Sequence, residues 1–445
     1  MPGFQRRIAA LIGLGLALAA GLRAGASMAV SPQAGSAGGA WLGLGEALRL
    51  AEQASPGLEA ASARQDQARA AAGVAAAFYY PRVVAAAGTG TGLAGSPGLA
   101  PPGVAGVLGS PYRSGPTVGA DVAAYWDLLD VGEMLGHSAA RADRVSAADQ
   151  AALTRVQVDQ QALLEYFDAV RQQGRADVMA LAVTRVAQVY AVVRRDEAIG
   201  RYTEVQLLLL RESLQQASLA AALARERAGL ARQDLAITLG RDGRALDLPP
   251  AQACTVASLD ALSPGAANPL LRVARSLLKA AQARQDAALA RALPRVYGNA
   301  SLGTVENTLL VPTKDYSASL GVELPLFQGF QVAQGYRQAG AAVRERMALV
   351  EDAQRQVDRA NDGFDEAVAE ARLRLDSLRS RQAAAQRNFV LSKERYFHLL
   401  GQFTDMLQAL QNVDNIDTQL DDAQVDLCSS LGAQRLFNGA ILAPP

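Results

Sequence analysis

The segment 316–324 alternates strictly between apolar side chains and small or polar ones. Its apolar positions are Tyr316, Ala318, Leu320, Val322 and Leu324. Because side chains on a β-strand point to opposite faces with a period of two, this pattern predicts a strand with one apolar and one polar face. Pro325 has no N–H to donate and is expected to end the strand.

Four strands are expected in all, at about 82–91, 117–129, 295–304 and 315–324. Arg295 and Glu323 fall on the polar sides of the last two. If the strands belong to a membrane barrel, these two side chains point into its interior and the apolar set of 316–324 faces lipid. Tyr316 could then mark one aromatic girdle and Phe327 and Phe330 the other. The two phenylalanines could equally pack at a junction between sheet and helix.

Long helices follow the second and fourth strands. The segments at about 131–240 and 329–436 are rich in Ala, Leu, Gln, Arg and Asp, and Gly200 and Gly401 interrupt them. The stretch 329–400 alone would span roughly 108 Å as one helix. A compact domain has no use for that length, so paired helices that turn at the two glycines are expected, packed as in coiled coils.

The chain is predicted to be an internal duplication, with repeats at 27–250 and 251–445. Ser55-Pro56 and Asn268-Pro269 each open a helix, and Pro81 and Pro294 each end one. The order helix–strand–strand–helix–helix is therefore expected twice. The fold class is mainly α, with a β portion that enters a membrane.

Residues 1–26 predict a secretory signal peptide. Arg6 and Arg7 precede an uncharged run at 8–22, and the small residues Ala24-Gly25-Ala26 follow. No cysteine lies near this site, so lipidation is not expected. No other segment is predicted to be a transmembrane helix, and the exported chain must enter any membrane by strands.

Four strands cannot close a barrel, because single-chain barrels begin at about eight strands. Open strand edges are not viable inside lipid. Several copies must therefore contribute strands, and three copies would supply twelve.

Composition excludes several other functions. Acidic and basic residues number 43 each, which gives no reason to expect nucleic acid as a partner. No catalytic constellation, metal site or cofactor site is predicted, so the chain is not expected to be an enzyme. Cys254 and Cys428 are interpreted as two separate thiols, although a single bridge is possible in an oxidising compartment.

Taken together, these features resemble the TolC-like outer-membrane efflux protein family. The resemblance rests on the duplicated design, the proline-marked helix starts, the junction Leu324-Pro325-Leu326-Phe327-Gln328-Gly329 and the Gly-x-x-Thr turns at Gly200–Thr203 and Gly401–Thr404. The first junction, Trp126–Asp130, departs from it because it has no proline.

The resemblance implies a homotrimer in the outer membrane of a Gram-negative bacterium. Its twelve-stranded barrel would continue as a coiled-coil helical tunnel through the periplasm. The implied partners are outer-membrane lipid, a periplasmic adaptor and an inner-membrane pump or ABC transporter, in an efflux or type I secretion system. The family closes its periplasmic tip near the helix turns, and the matching positions here are Thr203, Glu204, Thr404 and Asp405.

Asp414, Asp417 and Asp421 share one helical face through their spacing of three and four residues. They are interpreted either as a solvated face paired with neighbouring arginines or as tunnel lining that favours cations. The sequence thus predicts a passive export duct. The alternatives are a periplasmic coiled-coil adaptor or structural protein without a barrel, and a secreted enzyme.

Overall fold

The computed structural model describes residues 41–93, 114–242, 246–254, 259–263, 265, 267–307 and 310–442. The chain is mainly helical. Its helices are α1 (Leu44–Ala54), α2 (Pro56–Ala76), α3 (Val131–Glu197), α4 (Glu204–Thr238), α5 (Pro269–Ala290), α6 (Gln331–Phe397) and α7 (Phe403–Phe437). Its strands are β1 (Arg82–Leu93), β2 (Ser114–Leu129), β3 (Leu262–Ser263), β4 (Arg295–Asn307), β5 (Leu310–Glu323) and β6 (Ile441–Leu442). The predicted signal peptide lies outside the described residues.

The order helix–strand–strand–helix–helix occurs in α2–β1–β2–α3–α4 and again in α5–β4–β5–α6–α7. The two longest helices, α3 and α6, contain 67 residues each, and the helices that follow them contain 35 each. The strands run further than expected at their loop ends. In particular, β5 begins at Leu310 and not at about 315, because its backbone already pairs with Val305 and Asn307 of β4.

The proline-marked helix starts are capped as expected. The Ser55 hydroxyl accepts a hydrogen bond from the Leu58 N–H at 3.4 Å. The Asn268 Oδ1 accepts from Leu270 N–H at 3.0 Å, and its Nδ2 donates to the carbonyl oxygen of Phe437 at 2.8 Å. These bonds satisfy amides that a helix leaves unpaired at its first turn. Asn268 also ties the start of α5 to the end of α7.

The four long strands form one antiparallel sheet in the order β1-β2-β4-β5. β2 and β4, which belong to different halves of the chain, are the central pair. β1 and β5 are the outermost strands. The register places Val322 opposite Val296 and Glu323 opposite Arg295, as the alternating pattern requires.

The largest apolar core among the described residues lies where α1, α3, α4 and α7 meet residues 246–254 and 259–263, which are called the strap below. Cys254 of the strap and Cys428 of α7 are buried there and form a disulfide. The interpretation of two separate thiols was therefore wrong. The strap also contributes β3, which pairs with β6 beyond the end of α7.

One helix, α3, is long and apolar enough over an 18-residue window to cross a membrane, by length and composition alone. A third of that window (33%) is buried inside the chain, and α3 packs on α2, α4, α5 and α7. Core helices of water-soluble proteins meet the same criterion. The expectation that no later segment is a transmembrane helix therefore stays a prediction.

Candidate functional site

The sheet exposes its apolar face. On β5, Tyr316 is 82% exposed, Leu320 71% and Val322 70%, and Ala318 is exposed as well, as is Leu324 just after the end of the strand. The register continues the same face with Leu302 of β4, which lies beside Tyr316. Further exposed members are Val122, Trp126 and Val83. An apolar surface that runs across four strands is unusual on a protein surrounded by water.

The opposite face of the sheet is polar. Arg295 donates to the Glu323 carboxylate at 2.6 Å across β4 and β5. Further along the same face, Ser319 donates to Asn299, and Ser301 and Ser317 share a hydrogen bond of 2.8 Å. Cross-strand polar pairs of this kind stabilise a sheet face that contacts water.

The aromatic residues after β5 do not pack into a core. Phe327 and Phe330 contact each other edge to face, with ring centroids 5.4 Å apart, and both are largely exposed. The interpretation that the two phenylalanines pack at the sheet–helix junction does not agree with this exposure in the described part of the chain. Their exposure fits the girdle interpretation.

The long helices turn at two tips, and the first turn has the expected geometry. Gly200 has φ +77° and its N–H donates to the carbonyl oxygen of Glu197 at 2.8 Å. Thr203 then caps α4: its side chain accepts from the Gln206 N–H while the Gln206 side chain accepts from the Thr203 N–H. Glu204 occupies the first turn of α4, and both Thr203 and Glu204 are exposed.

The second tip turns at a different residue from the one expected. The left-handed residue is Leu399, with φ +62°, and not Gly401. Leu399 donates to Tyr396 and Leu400 to Arg395, the same bonds that Gly200 and its neighbour make. Gln402 is consequently the N-cap of α7, without a side-chain cap.

This shift changes where two predicted tip residues lie. Thr404 and Asp405 sit inside the first turn of α7 and are exposed, so they are not the structural equivalents of Thr203 and Glu204. Asp405 nevertheless places a negative charge at the positive end of the helix dipole, which is favourable. Their role in closing the tip stays a prediction.

An aromatic cluster joins the two tips, and the sequence did not indicate it. The rings of Tyr202 and Tyr396 stack at a centroid distance of 5.1 Å, and Phe403 lies against Tyr396 at 5.7 Å. Val193 and Met406 complete the buried cluster with a few neighbours. Burial raises the pKa of Tyr396, and its hydroxyl has no hydrogen-bond partner among the described residues.

The three aspartates of α7 face α3. Arg185 of α3 donates to Asp414 at 2.5 Å and to Asp417 at 2.9 Å, and Gln382 of α6 also donates to Asp417. Asp421 is 6% exposed and accepts from Gln252 of the strap at 2.8 Å. The arginine partner matches one interpretation of this face, but the carboxylates are more buried than a solvated face would be. Tunnel lining stays a prediction.

Two further ion pairs continue this contact between the halves of the chain. Arg175 binds Asp422 through two parallel bonds of 3.0 and 2.9 Å, and Arg171 binds Asp426 at 2.6 Å. Hydrogen bonding to Asp422 raises the pKa of Arg175. The α3–α7 contact is thus a ladder of arginines on one helix and aspartates on the other.

Two carboxyl groups have strongly raised pKa values. Burial, reinforced by the nearby Glu52 and opposed by Arg155, raises the pKa of Asp159 to about 7. Burial likewise raises the pKa of Asp421 to about 6. Each has one carboxylate oxygen without a hydrogen-bond partner in the described part of the chain. Within that part, no group of three or more His, Cys, Asp or Glu side chains is placed to hold a metal ion.

No protein-family model matches the chain, and no curated protein does. Solved structures match it over most of its length. The outer membrane protein VceC of Vibrio cholerae aligns with a TM-score of 0.74 and 17% identity over 90% of this chain and 97% of VceC. The Campylobacter jejuni outer membrane channel CmeC aligns with a TM-score of 0.71 and 16% identity, over 90% of this chain and 87% of CmeC.

The open state of the Neisseria gonorrhoeae MtrE outer membrane channel aligns with a TM-score of 0.70 and 16% identity, over 89% of each chain. At identities this low, the structural match establishes the fold alone. The fold expected from the family resemblance is confirmed to that extent: the chain has the fold of these bacterial outer membrane channels.

Proposed function

We propose that the chain is the outer-membrane exit duct of a tripartite efflux or type I secretion system. The observation that carries this proposal is the two-faced sheet, which has exposed apolar side chains on one face and polar side chains on the other. A membrane barrel has this arrangement, with lipid outside and water inside. The chain itself performs no bond chemistry in this role.

Closure of the barrel requires more than one copy. β1 and β5 are the outermost strands of the four-stranded sheet, and their free edges are costly in lipid. Three copies that pair β5 of one with β1 of the next would close twelve strands. The long helices would then continue the barrel as a tunnel through the periplasm, after export directed by residues 1–26.

The tips are the proposed gate and docking end. The described cluster around Tyr202 and Tyr396 holds the two helical hairpins of one chain together. A periplasmic adaptor and an inner-membrane pump or ABC transporter would supply the energy, and their contact with the tips would loosen the closed arrangement. Thr203, Glu204, Thr404 and Asp405 are the exposed polar residues available there.

The test is single-channel conductance of the detergent-purified mature protein in a planar bilayer, after its oligomeric state is measured. A detergent-dependent trimer with small, mostly closed openings is the expected result. A monomer that is stable without detergent and never conducts would overturn the proposal and favour the periplasmic coiled-coil protein.

A further inference from the structure

One face of the C-terminal half of α7 is occupied by the strap. The α7 residues that contact it are spaced three or four apart and therefore share a face. They are Asp421, Gln424, Cys428, Gly432 and Arg435.

The contacts at the start of this face involve one side chain and two backbone carbonyl groups of the strap. Gln252 donates its side-chain amide to Asp421 at 2.8 Å. The Gln424 amide in turn donates to the carbonyl oxygens of Gln252, at 3.1 Å, and Cys254, at 3.0 Å. One glutamine thus satisfies two strap carbonyls, which fixes the path of the strap along α7.

The remaining contacts are covalent and apolar. Cys254 is bonded to Cys428 one turn further along α7. Beyond it, Leu259 is fully buried, and a Cβ added at Gly432 would lie only 3.4 Å from its Cδ2. Arg435 donates to the Leu259 carbonyl oxygen at 2.6 Å. The strap and this half of α7 are therefore one mechanical unit.

The N-terminal half of α7, Phe403–Leu420, lacks the disulfide, although its polar contacts with α3 are of the same kind as the Arg175–Asp422 and Arg171–Asp426 pairs of the C-terminal half. Its polar contacts to other helices run between side chains, from Arg185 of α3 to Asp414 and Asp417 and from Gln382 of α6 to Asp417. Such contacts exchange with water when helices move apart, whereas a covalent bond does not.

We propose that the Cys254–Cys428 bridge fixes a pivot in α7 near Asp421, so that movement of α7 away from α3 is confined to Phe403–Leu420. The proposal rests on the proposed gated duct, because it assigns which part of the tunnel wall can open. The bridge sets the depth of the opening, and the side chains of Arg185, Asp414 and Asp417 hold the movable part when it is closed.

The test is amide hydrogen exchange of the full chain in detergent or nanodiscs, read by mass spectrometry on α7 peptides. In Cys254→Ala/Cys428→Ala, exchange in the strap and in Asp421–Phe437 should rise about tenfold, with Phe403–Leu420 unchanged. In Arg185→Gln, exchange should instead rise in Phe403–Leu420 and stay unchanged in the strap and in Asp421–Phe437. Uniform acceleration along α7 in both variants, or none in either, would overturn the pivot.

Two controls keep the result interpretable if the double alanine variant does not fold. Wild-type protein reduced with a phosphine keeps every side chain, and Gln424→Ala removes two strap hydrogen bonds while it keeps the disulfide. Reduction should reproduce the alanine pattern, and Gln424→Ala should give a smaller rise in the same segment. Wild-type conductance tests the duct separately, because the reciprocal exchange pattern does not require a current.

Discussion

Tyr202 and Tyr396, which come from different halves of the chain, stack their rings 5.1 Å apart at the helical tips with an angle of 23° between their planes. Tyr202 lies two residues after Gly200 in the first tip, and Tyr396 lies in the last turn of α6, just before the second tip. Each ring therefore joins one hairpin to the other. The hydroxyl of Tyr396 is buried without a partner among the described residues, so the pair is held by its rings.

Two substitutions at Tyr396 distinguish the contribution of its ring to stability from that of its hydroxyl. Tyr396→Phe removes an unpaired buried hydroxyl and should stabilise the tip by about 1 kcal/mol. Tyr396→Ala removes the ring and should cost about 3 kcal/mol and raise the open probability of the channel. Thermal unfolding and single-channel recording measure both effects. Equal destabilisation by the two changes would contradict the stacking argument.

The second tip should be improved by a glycine. Leu399 has φ +62°, a conformation that costs a side-chain-bearing residue about 1 kcal/mol or more, and its side chain is 59% exposed. Leu399→Gly should raise the free energy of unfolding by about that amount. Gly200→Ala is the matched change at the first tip and should lower the free energy of unfolding by a similar amount. A destabilised Leu399→Gly would mean that the exposed leucine makes contacts in the assembly.

The two faces of β5 should respond oppositely to charge. Leu320→Arg places a cation on the exposed apolar face, where it costs about 2–4 kcal/mol in lipid. Ser319→Arg, one residue away, places the same cation on the polar face and serves as the control. Native gels of membrane extracts should show trimer loss for Leu320→Arg alone. Loss in both variants, or in neither, would contradict the assignment of faces.

Asp405 offers a test of the tip charge. Asp405→Ala should raise conductance if the exposed carboxylate helps to close the tip, because the shorter and uncharged side chain would remove that obstruction. Gln408→Ala changes an exposed neighbour on the same helix and is the control. Identical currents in both variants would leave Asp405 as a helix-dipole partner only.

Stability should fall as pH rises from about 4 to about 7. Because the pKa of Asp159 is about 7 in the folded chain and about 4 when unfolded, the folded state binds more protons between these values. The contribution is complete below pH 4 and is lost by pH 7, and it amounts to about 4 kcal/mol at most.

Asp159→Asn should flatten this dependence, as measured by the unfolding midpoint between pH 4 and 8. Asp66→Asn, which changes an exposed carboxylate of α2, should leave the slope unchanged. Burial also raises the pKa of Asp421, to about 6, so this residue contributes a change of the same sign over a narrower pH range. A midpoint that rises with pH in the wild type would contradict the burial argument.

Local patterns predicted the elements well. Period-two alternation identified β5 and its apolar face, and proline next to a capping residue located the starts of α2 and α5. These features are visible because each depends on residues a few positions apart. The loop ends of the strands were placed less well, since the pairing of β4 with β5 extends the ladder beyond the alternating segment.

Contacts between distant segments could not be predicted in the same way. The spacing of Asp414 and Asp417 showed a shared face, but nothing in the sequence singled out Arg185 as their partner. Gly401 was the natural choice for the second turn, because glycine adopts a positive φ at low cost. The backbone instead turns two residues earlier, where the Tyr396 ring is anchored against Tyr202.

The disulfide also defines the covalent topology of the second half of the chain. It joins positions 174 residues apart, and α5, β4, β5 and α6 all lie within the closed loop. A protease that cuts once at the exposed turn around Leu400 therefore releases no fragment until the bond is reduced. The nicked chain would keep α7 joined to the strap through Cys254–Cys428, so cleavage at this tip alone cannot release α7.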